Sequence, residues 1–441
     1  MEVRSLSADK SDGLQGIIEV PGDKSISHRA LILASQAIGE TKIENLLESK
    51  DVLNTKSCLQ QLGCEINKKD GKYIVSGLSL GGLNEPDNFL DLGNSGTGVR
   101  LMMGLLAGYG FKSFFTGDGS LRKRPMNRVI NPLSEMGAEF YSRGDGRLPI
   151  LLKGNDKLIN VDYHLPVPSA QVKSAILLAA MKTSGVTRAF EKDATRDHTE
   201  IMMKNLGLNI ESFEDSGRRV IEIEGNNEFD SKDFYVPGDP SSAAFPVVAA
   251  LITPNSNVRI NNVMINPLRA GLFDVLKEMG GDITFDNVRE ISGEKVADII
   301  VKSSELRGIR VPAEKAPSMI DEYPVLSVAA ACAEGETVME GLKELKVKES
   351  NRLEAIKTGL AKCGVEAEEK SDTLKIIPQD KGDKIIGGCD IETQGDHRIA
   401  MSFLVAGLVS SKKITVDRAE MIETSFTDFK GLMSQIGANI S

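Results

Sequence analysis

Residues 20–34, VPGDKSISHRALILA, concentrate the groups that can do chemistry. Pro21-Gly22 makes a turn, Asp23 stands where a helix N-cap stands, and Lys24, Ser25, His28 and Arg29 fall in the first two helical turns. Residues four apart share a helix face, so two cations and a hydroxyl gather at a helix N-terminus whose free N–H groups already favour an anion. That is phosphate-binding chemistry. The opening recurs in residues 236–251, VPGDPSSAAFPVVAAL, with Gly22 and Gly238 216 residues apart, Pro240 at the first helical position, and no cations.

Similar placements follow along the chain. Gly93-Asn94-Ser95-Gly96-Thr97-Gly98 precedes Arg100 and an apolar helix, and such small residues allow a ligand close to the backbone. The stretch lacks the GxGxxG register of a dinucleotide site, and Gly22-Asp23-Lys24 lacks the spacing of a P-loop. Residues 117–128 carry Arg122, Lys123, Arg124 and Arg128, a run that taken alone reads as a solvated face. Lys173 beside Ser169 and Gln171, Arg196 in ATRDH, Lys348 and Arg352 in VKESNRLEAI, and Arg398 in GDHR again put cations where helices begin. The chain has 63 acidic against 53 basic residues and a net charge of -10, which argues against a nucleic-acid surface and makes the cation clustering local. Asp321, with Glu322 beside it, and Glu349 are the candidate carboxylates. Their bland readings are a helix cap for Asp321 and a surface ion pair of Glu349 with Arg352 three residues on. Four histidines and five cysteines show no metal-ligand spacing, so no metal is expected, and the cysteines read as buried free thiols.

The elements that must position these groups form a repeat. A helix end, a glycine and a short strand recur at Gly63, Gly137, Gly207, Gly280, Gly364 and Gly437, each glycine fitting the left-handed residue that closes a helix. A second series of helices, opening with Gly, Ser or Asp, is apolar nearly all round and therefore expected to be buried. The helices ending in glycine, such as 266–279, carry one polar side and are expected outside. Short β-branched segments at 72–76, 219–223 and 298–302 lie between them. The unit is two helices and several strands in about 70 residues, three units per half, within two domains of about 200 residues. The Pro-Gly elements at 20–23 and 236–239 are the expected crossovers. No apolar run approaches the ~20 residues of a membrane span, and a cytoplasmic protein is expected.

GDKSISHRA, GNSGTGVR, KRPMNRV, PSAQVKSA, DEYPVLSVAAA, VKESNRLEAI and GDHRIAM, in this order over nearly the whole chain, closely resemble the 5-enolpyruvylshikimate-3-phosphate (EPSP) synthase family, in particular the bacterial branch typified by glyphosate-tolerant enzymes. The resemblance implies an α/β enolpyruvyl transferase fold, an inside-out α/β barrel in each of two domains. Each domain has three βαβαββ units around a pseudo-threefold axis, with ligands between the domains; residues 22–237 form the upper domain, and 1–21 with 238–441 the lower. It implies transfer of the enolpyruvyl group of phosphoenolpyruvate to the 5-hydroxyl of shikimate 3-phosphate, with release of phosphate, through a tetrahedral intermediate, without metal or organic cofactor, in a monomer. By matching motif positions, Lys24, Ser25, Arg29, Ser169, Ala170, Gln171, Arg196, Asp321 and Lys348 are implied to bind shikimate 3-phosphate. Lys24, Gly96, Arg124, Gln171, Arg352 and Arg398 are implied to bind phosphoenolpyruvate. Asp321 and Glu349 match the base and acid, with Lys24 assisting.

Three positions depart from the family pattern: Asn351 replaces a frequent Asp, Glu344 aligns near a frequent Asn, and Thr424 or Ser425 stands where many members have a lysine, for which Lys412 or Lys413 is the expected substitute. The sister transferase acting on UDP-N-acetylglucosamine carries a reactive cysteine in the basic loop, and GDGSLRKRP has none. A catalytically dead protein of the same fold is the other alternative; retention of both carboxylates with all the cations argues against it.

Overall fold

The computed structural model describes residues 4–379 and 382–441. Two compact units divide it: Gly22–Val236 with Ile291–Glu294, and Met1–Pro21 with Pro237–Glu290 and Lys295–Ser441. The chain changes unit at Pro21/Gly22 and Val236/Pro237, and twice more around the hairpin tip Ile291–Glu294. That tip packs in the first unit, where Ser292 Oγ accepts the Tyr235 N–H at 3.0 Å and the Glu294 carboxylate meets His198 Nδ1 at 2.6 Å.

Each unit is built on one repeated sheet pattern. In the first, strand Ile38–Glu44 pairs parallel with Phe234–Tyr235 and antiparallel with Lys72–Leu78, which pairs antiparallel with Ile66–Lys69. The same parallel, antiparallel, antiparallel order recurs around Lys112–Thr116 and around Val186–Glu191. The second unit repeats it around Thr337–Met339 and completes two sheets with the start of the chain. Gln15–Glu19 lies parallel to Asn257–Met264, and Leu6–Ala8 lies antiparallel to Lys412–Val416.

Six helices are buried on nearly all sides: Lys24–Gln36, Gly96–Ala107, Ala170–Ala180, Pro240–Ile252, Tyr323–Cys332 and His397–Gly407. Close approach between two of them requires Gly104, where a Cβ would stand 2.5 Å from Ala175 Cα. The companion helices, such as Lys50–Gln61 and Arg352–Lys362, bury one face only. All six repeat glycines have positive φ, from 83° at Gly364 to 108° at Gly137, the backbone region that closes a helix before a strand. The helix expected over 266–279 spans Gly271–Glu278. Its first residues are held instead in a turn, in which Asn266 Oδ1 accepts the Leu268 N–H at 2.9 Å.

Candidate active site

In the Gly22–Val236 unit the starts of three buried helices are tied together by side chains. Asp23 caps Lys24–Gln36, accepting the Ile26 N–H at 2.8 Å; Ser95 and Ser169 cap the other two. His28, fully buried, meets Thr55 Oγ1 through Nδ1 at 2.8 Å and Ser95 Oγ through Nε2 at 3.4 Å. Gln171 joins the other two helices, donating to Thr97 Oγ1 at 2.9 Å and accepting from Arg100 Nη1 at 2.8 Å. These bonds fix Lys24, Ser25, Gly96, Ala170 and Gln171 at one end of a rigid bundle.

The cations there differ in availability. Lys24 is 30 % exposed and faces Asp51 at 3.4 Å. Arg124 is half-buried and donates to Asn94 Oδ1 at 2.8 Å, whereas Arg122, Lys123 and Arg128 are exposed. Arg29 is buried, bonding Thr199 Oγ1 at 2.7 Å, Ser25 O at 2.9 Å and Ser174 Oγ at 2.7 Å, which leaves one N–H on each terminal nitrogen. Burial lowers the Arg29 pKa to about 10, and the nearby Glu200 opposes that shift. Lys173, a site candidate from its spacing, is structural: fully buried, it pairs with Glu191 at 3.0 Å and Glu200 at 2.7 Å. Arg196 is half-buried on the loop before the His198–Asn205 helix.

In the second unit Arg352 is the hub. Its side chain is 1 % exposed and bonds three carboxylates: Nε to Asp396 at 2.8 Å, Nη1 to Asp321 at 3.1 Å and Nη2 to Glu349 at 2.6 Å. Glu349 lies before the Arg352–Lys362 helix, so this is no helix-surface pair. Burial is the largest single influence and pushes the Glu349 carboxyl up, but Arg352, with His397 and a backbone hydrogen bond, together offset it and lower the carboxyl to about 2. Asp321 is not the cap of Tyr323–Cys332, since Glu322 occupies that position; its Oδ1 faces Lys348 at 3.4 Å as well as Arg352. Lys348 also bonds Glu344 at 2.5 Å. Asp396 caps His397–Gly407 through the Arg398 N–H at 2.9 Å, and Arg398 Nη1 reaches Asp321 O at 3.2 Å and Glu322 at 3.4 Å.

Lys412 and Lys413 do not join this cluster: Lys412 packs over Gly388 and Lys413 faces Asp9 at 3.4 Å. Arg418 follows the other end of the same strand, Nη1 3.8 Å from where a Cβ on Gly395 would lie. The position of Arg418, the contacts of Asp396 and the linking role of Arg100 emerge only from the folded structure. The GDHR motif contained Asp396, but only its contacts reveal the role.

His28 and His397 are both held neutral. Burial, then neighbouring cations, lowers each to about 3. The unfolded chain binds those protons below about 6.5, so folding stability declines as pH falls from about 6.5 towards 3, by up to about 1.4 kcal/mol per pH unit for each histidine. His28→Gln serves both hydroxyls without titrating, and its urea midpoint should fall less than that of the unsubstituted protein between about pH 6.5 and 5. Equal losses in the two proteins would mean that His28 is not held neutral.

Cations at the N-termini of buried helices and a buried arginine among three carboxylates suit an anionic substrate and paired proton transfers. The chain matches the family model of EPSP synthase (3-phosphoshikimate 1-carboxyvinyltransferase) over residues 8–433. It is 53% identical over 440 residues to the 3-phosphoshikimate 1-carboxyvinyltransferase of Paramagnetospirillum magneticum, covering 99% of this chain and 98% of the relative. The chain belongs to the EPSP synthase family. A second family relative, from Parvibaculum lavamentivorans, is 53% identical with 99% of this chain and 96% of the relative covered. Among solved structures, an EPSP synthase from Acinetobacter baumannii superposes with a TM-score of 0.91 at 40% identity, covering 99% of each chain. The enolpyruvyl transferase NikO of Streptomyces tendae, at 17% identity and a TM-score of 0.77 over 99% of this chain and 98% of its own, shares the fold. Together they give the chain the enolpyruvyl transferase fold anticipated from its motifs. No helix among the described residues is long and apolar enough to cross a membrane.

Proposed function

We propose that this chain transfers the enolpyruvyl group of phosphoenolpyruvate to the 5-hydroxyl of shikimate 3-phosphate, releasing phosphate through a tetrahedral intermediate, as a cytoplasmic monomer of the shikimate pathway. The reading rests foremost on Arg352, which holds Asp321 and Glu349 within bonding distance of one guanidinium. The substrates bring two phosphates, each carrying about −1.5 to −2, and two carboxylates. Lys24, Ser25, Arg29, Ser169, Ala170, Gln171, Arg196, Asp321 and Lys348 receive shikimate 3-phosphate. Lys24, Gly96, Arg124, Gln171, Arg352 and Arg398 receive phosphoenolpyruvate, whose carboxylate and phosphate suit the planar fork of arginine. Arg418 takes the place of the lysine that many members carry.

The geometry supports a sequence for the proton transfers. A phosphoenolpyruvate carboxylate on Arg352 competes with Asp321 and Glu349 for its donors. Losing that cation raises the Glu349 carboxyl from about 2, so that it can carry a proton to the enol methylene. Asp321, freed at the same moment, accepts the proton of the 5-hydroxyl. The test is phosphate release on mixing the protein with both substrates. Release that requires shikimate 3-phosphate supports the reading, and no release with both present rejects it.

Gly96 bears on glyphosate, which in this family occupies the phosphoenolpyruvate place. A Cβ here would stand 2.9 Å from Arg100 Nη1 and 3.1 Å from Arg124 Nη1. Arg100 cannot swing aside cheaply, because Nη1 is bonded to Gly96 O and Gln171. The Gly96 protein is expected to be glyphosate-sensitive, although its motifs resemble the tolerant branch. A methyl projecting into a ligand-filled pocket whose walls are held in this way costs about 1–3 kcal/mol, so Gly96→Ala should raise the glyphosate inhibition constant roughly 5- to 150-fold, and more than the phosphoenolpyruvate KM because the inhibitor is the longer molecule. Equal weakening of inhibitor and substrate would refute the volume argument at this position.

A further inference from the structure

Two thiols that the proposed reaction does not use lie in contact in the second unit. Cys363 Sγ and Cys389 Sγ are 3.5 Å apart. Cys363 follows the Arg352–Lys362 helix and is fully buried; Cys389 sits half-buried in the edge strand Gly387–Ile391. Their backbones are fixed, since the Ile386 N–H donates to Cys363 O at 2.9 Å and Cys389 pairs in register with Ile414.

We propose that Cys363 and Cys389 form an oxidisable dithiol that hydrogen peroxide closes to a disulfide. The Cys389 thiolate attacks one peroxide oxygen, the O–O bond breaks, and the departing hydroxide takes a proton to leave as water, giving a sulfenic acid. Cys363 Sγ then attacks Cys389 Sγ, the S–O bond breaks, and the second oxygen leaves as water with the Cys363 proton. Two thiols are oxidised by two electrons, and one peroxide is reduced to two waters.

Exposure sets the order of these steps. Cys389 is half-buried and the more accessible of the two, whereas burial pushes the Cys363 thiol well above its ordinary range and suits it to the resolving step. Closing the pair requires the sulfurs to approach by only about 1.5 Å, to a bond of about 2.05 Å. The other thiols are poor competitors: burial raises Cys58, Cys64 and Cys332 each to about 12. The bond would staple the end of the helix that Arg352 begins to the strand that leads to Asp396, two elements already joined by the Arg352–Asp396 pair at 2.8 Å.

The experiment treats the reduced full-length protein with hydrogen peroxide, blocks remaining thiols in denaturant and maps the peptides. Titratable thiols should fall from five to three, with one cross-linked peptide joining Cys363 to Cys389, reversal by a dithiol reductant, and a higher Tm in the oxidised protein. Cys363→Ser should stop at a sulfenic acid on Cys389 that dimedone traps. Retention of all five thiols, a cross-link between other cysteines, or Cys389 reaching sulfinic acid while Cys363 stays free would each overturn the proposal. The mapping uses the unsubstituted chain and so does not depend on how the variant folds.

Discussion

Asp321→Asn should lower kcat by about 10²- to 10⁴-fold while leaving both KM values within a few fold, the range expected when a positioned proton acceptor is lost. The amide keeps the shape of the carboxylate and still accepts a bond from Arg352 Nη1, now 3.1 Å from Oδ1, and from Lys348 at 3.4 Å. What it cannot do is take the proton of a hydroxyl. Folding should change little: the side chain is 17 % exposed, and the helix Tyr323–Cys332 is entered through Glu322. Steady-state kinetics beside a thermal melt separate the alternatives. A variant that turns over normally but melts earlier would make Asp321 structural, with the base elsewhere.

Arg352→Met should damage stability as well as catalysis, because the side chain neutralises Asp321, Glu349 and Asp396 at once. Asp396 is fully buried. Removing one partner of a buried pair typically costs about 3–5 kcal/mol, since the charge left behind has lost both water and counter-ion. In a unit of this size that corresponds to a Tm lower by on the order of 10 °C. Arg352→Lys should recover part of the stability but not the phosphoenolpyruvate KM, because one ammonium cannot match the fork that reaches three carboxylates. Adding Asp396→Asn to Arg352→Met should restore some of the lost stability by removing the uncompensated charge. If Arg352→Met melts with the parent protein, the three carboxylates are not held at a net cost and the hub is only geometric.

Much of the scaffold was legible because it depends on local rules. Gly63, Gly137, Gly207, Gly280, Gly364 and Gly437 mark left-handed helix ends, a backbone state that glycine adopts without steric cost, and all six have positive φ. The buried helices were legible from apolar residues on every side, and Asp23 and Asp239 from the turn before each helix; both cap as expected, Asp239 through the Ser241 N–H at 2.8 Å. The motifs, in their order, carried the family.

What tertiary structure alone decided is which charges are spent inside the protein. Lys173 and Arg29 both lie near helix starts, yet Lys173 is closed between Glu191 and Glu200 while Arg29 keeps unspent N–H groups behind Ser174 and Thr199. Those partners come from residues up to 170 positions away in sequence. The same holds for Arg418, which packing brings beside Gly395, and for Lys412 and Lys413, which sit at the opposite end of the strand. Capping, helix closure and apolar periodicity act over a few residues and are written in the order of side chains. The state of a buried charge depends on desolvation and on partners gathered from distant segments, and it exists only once the chain has folded.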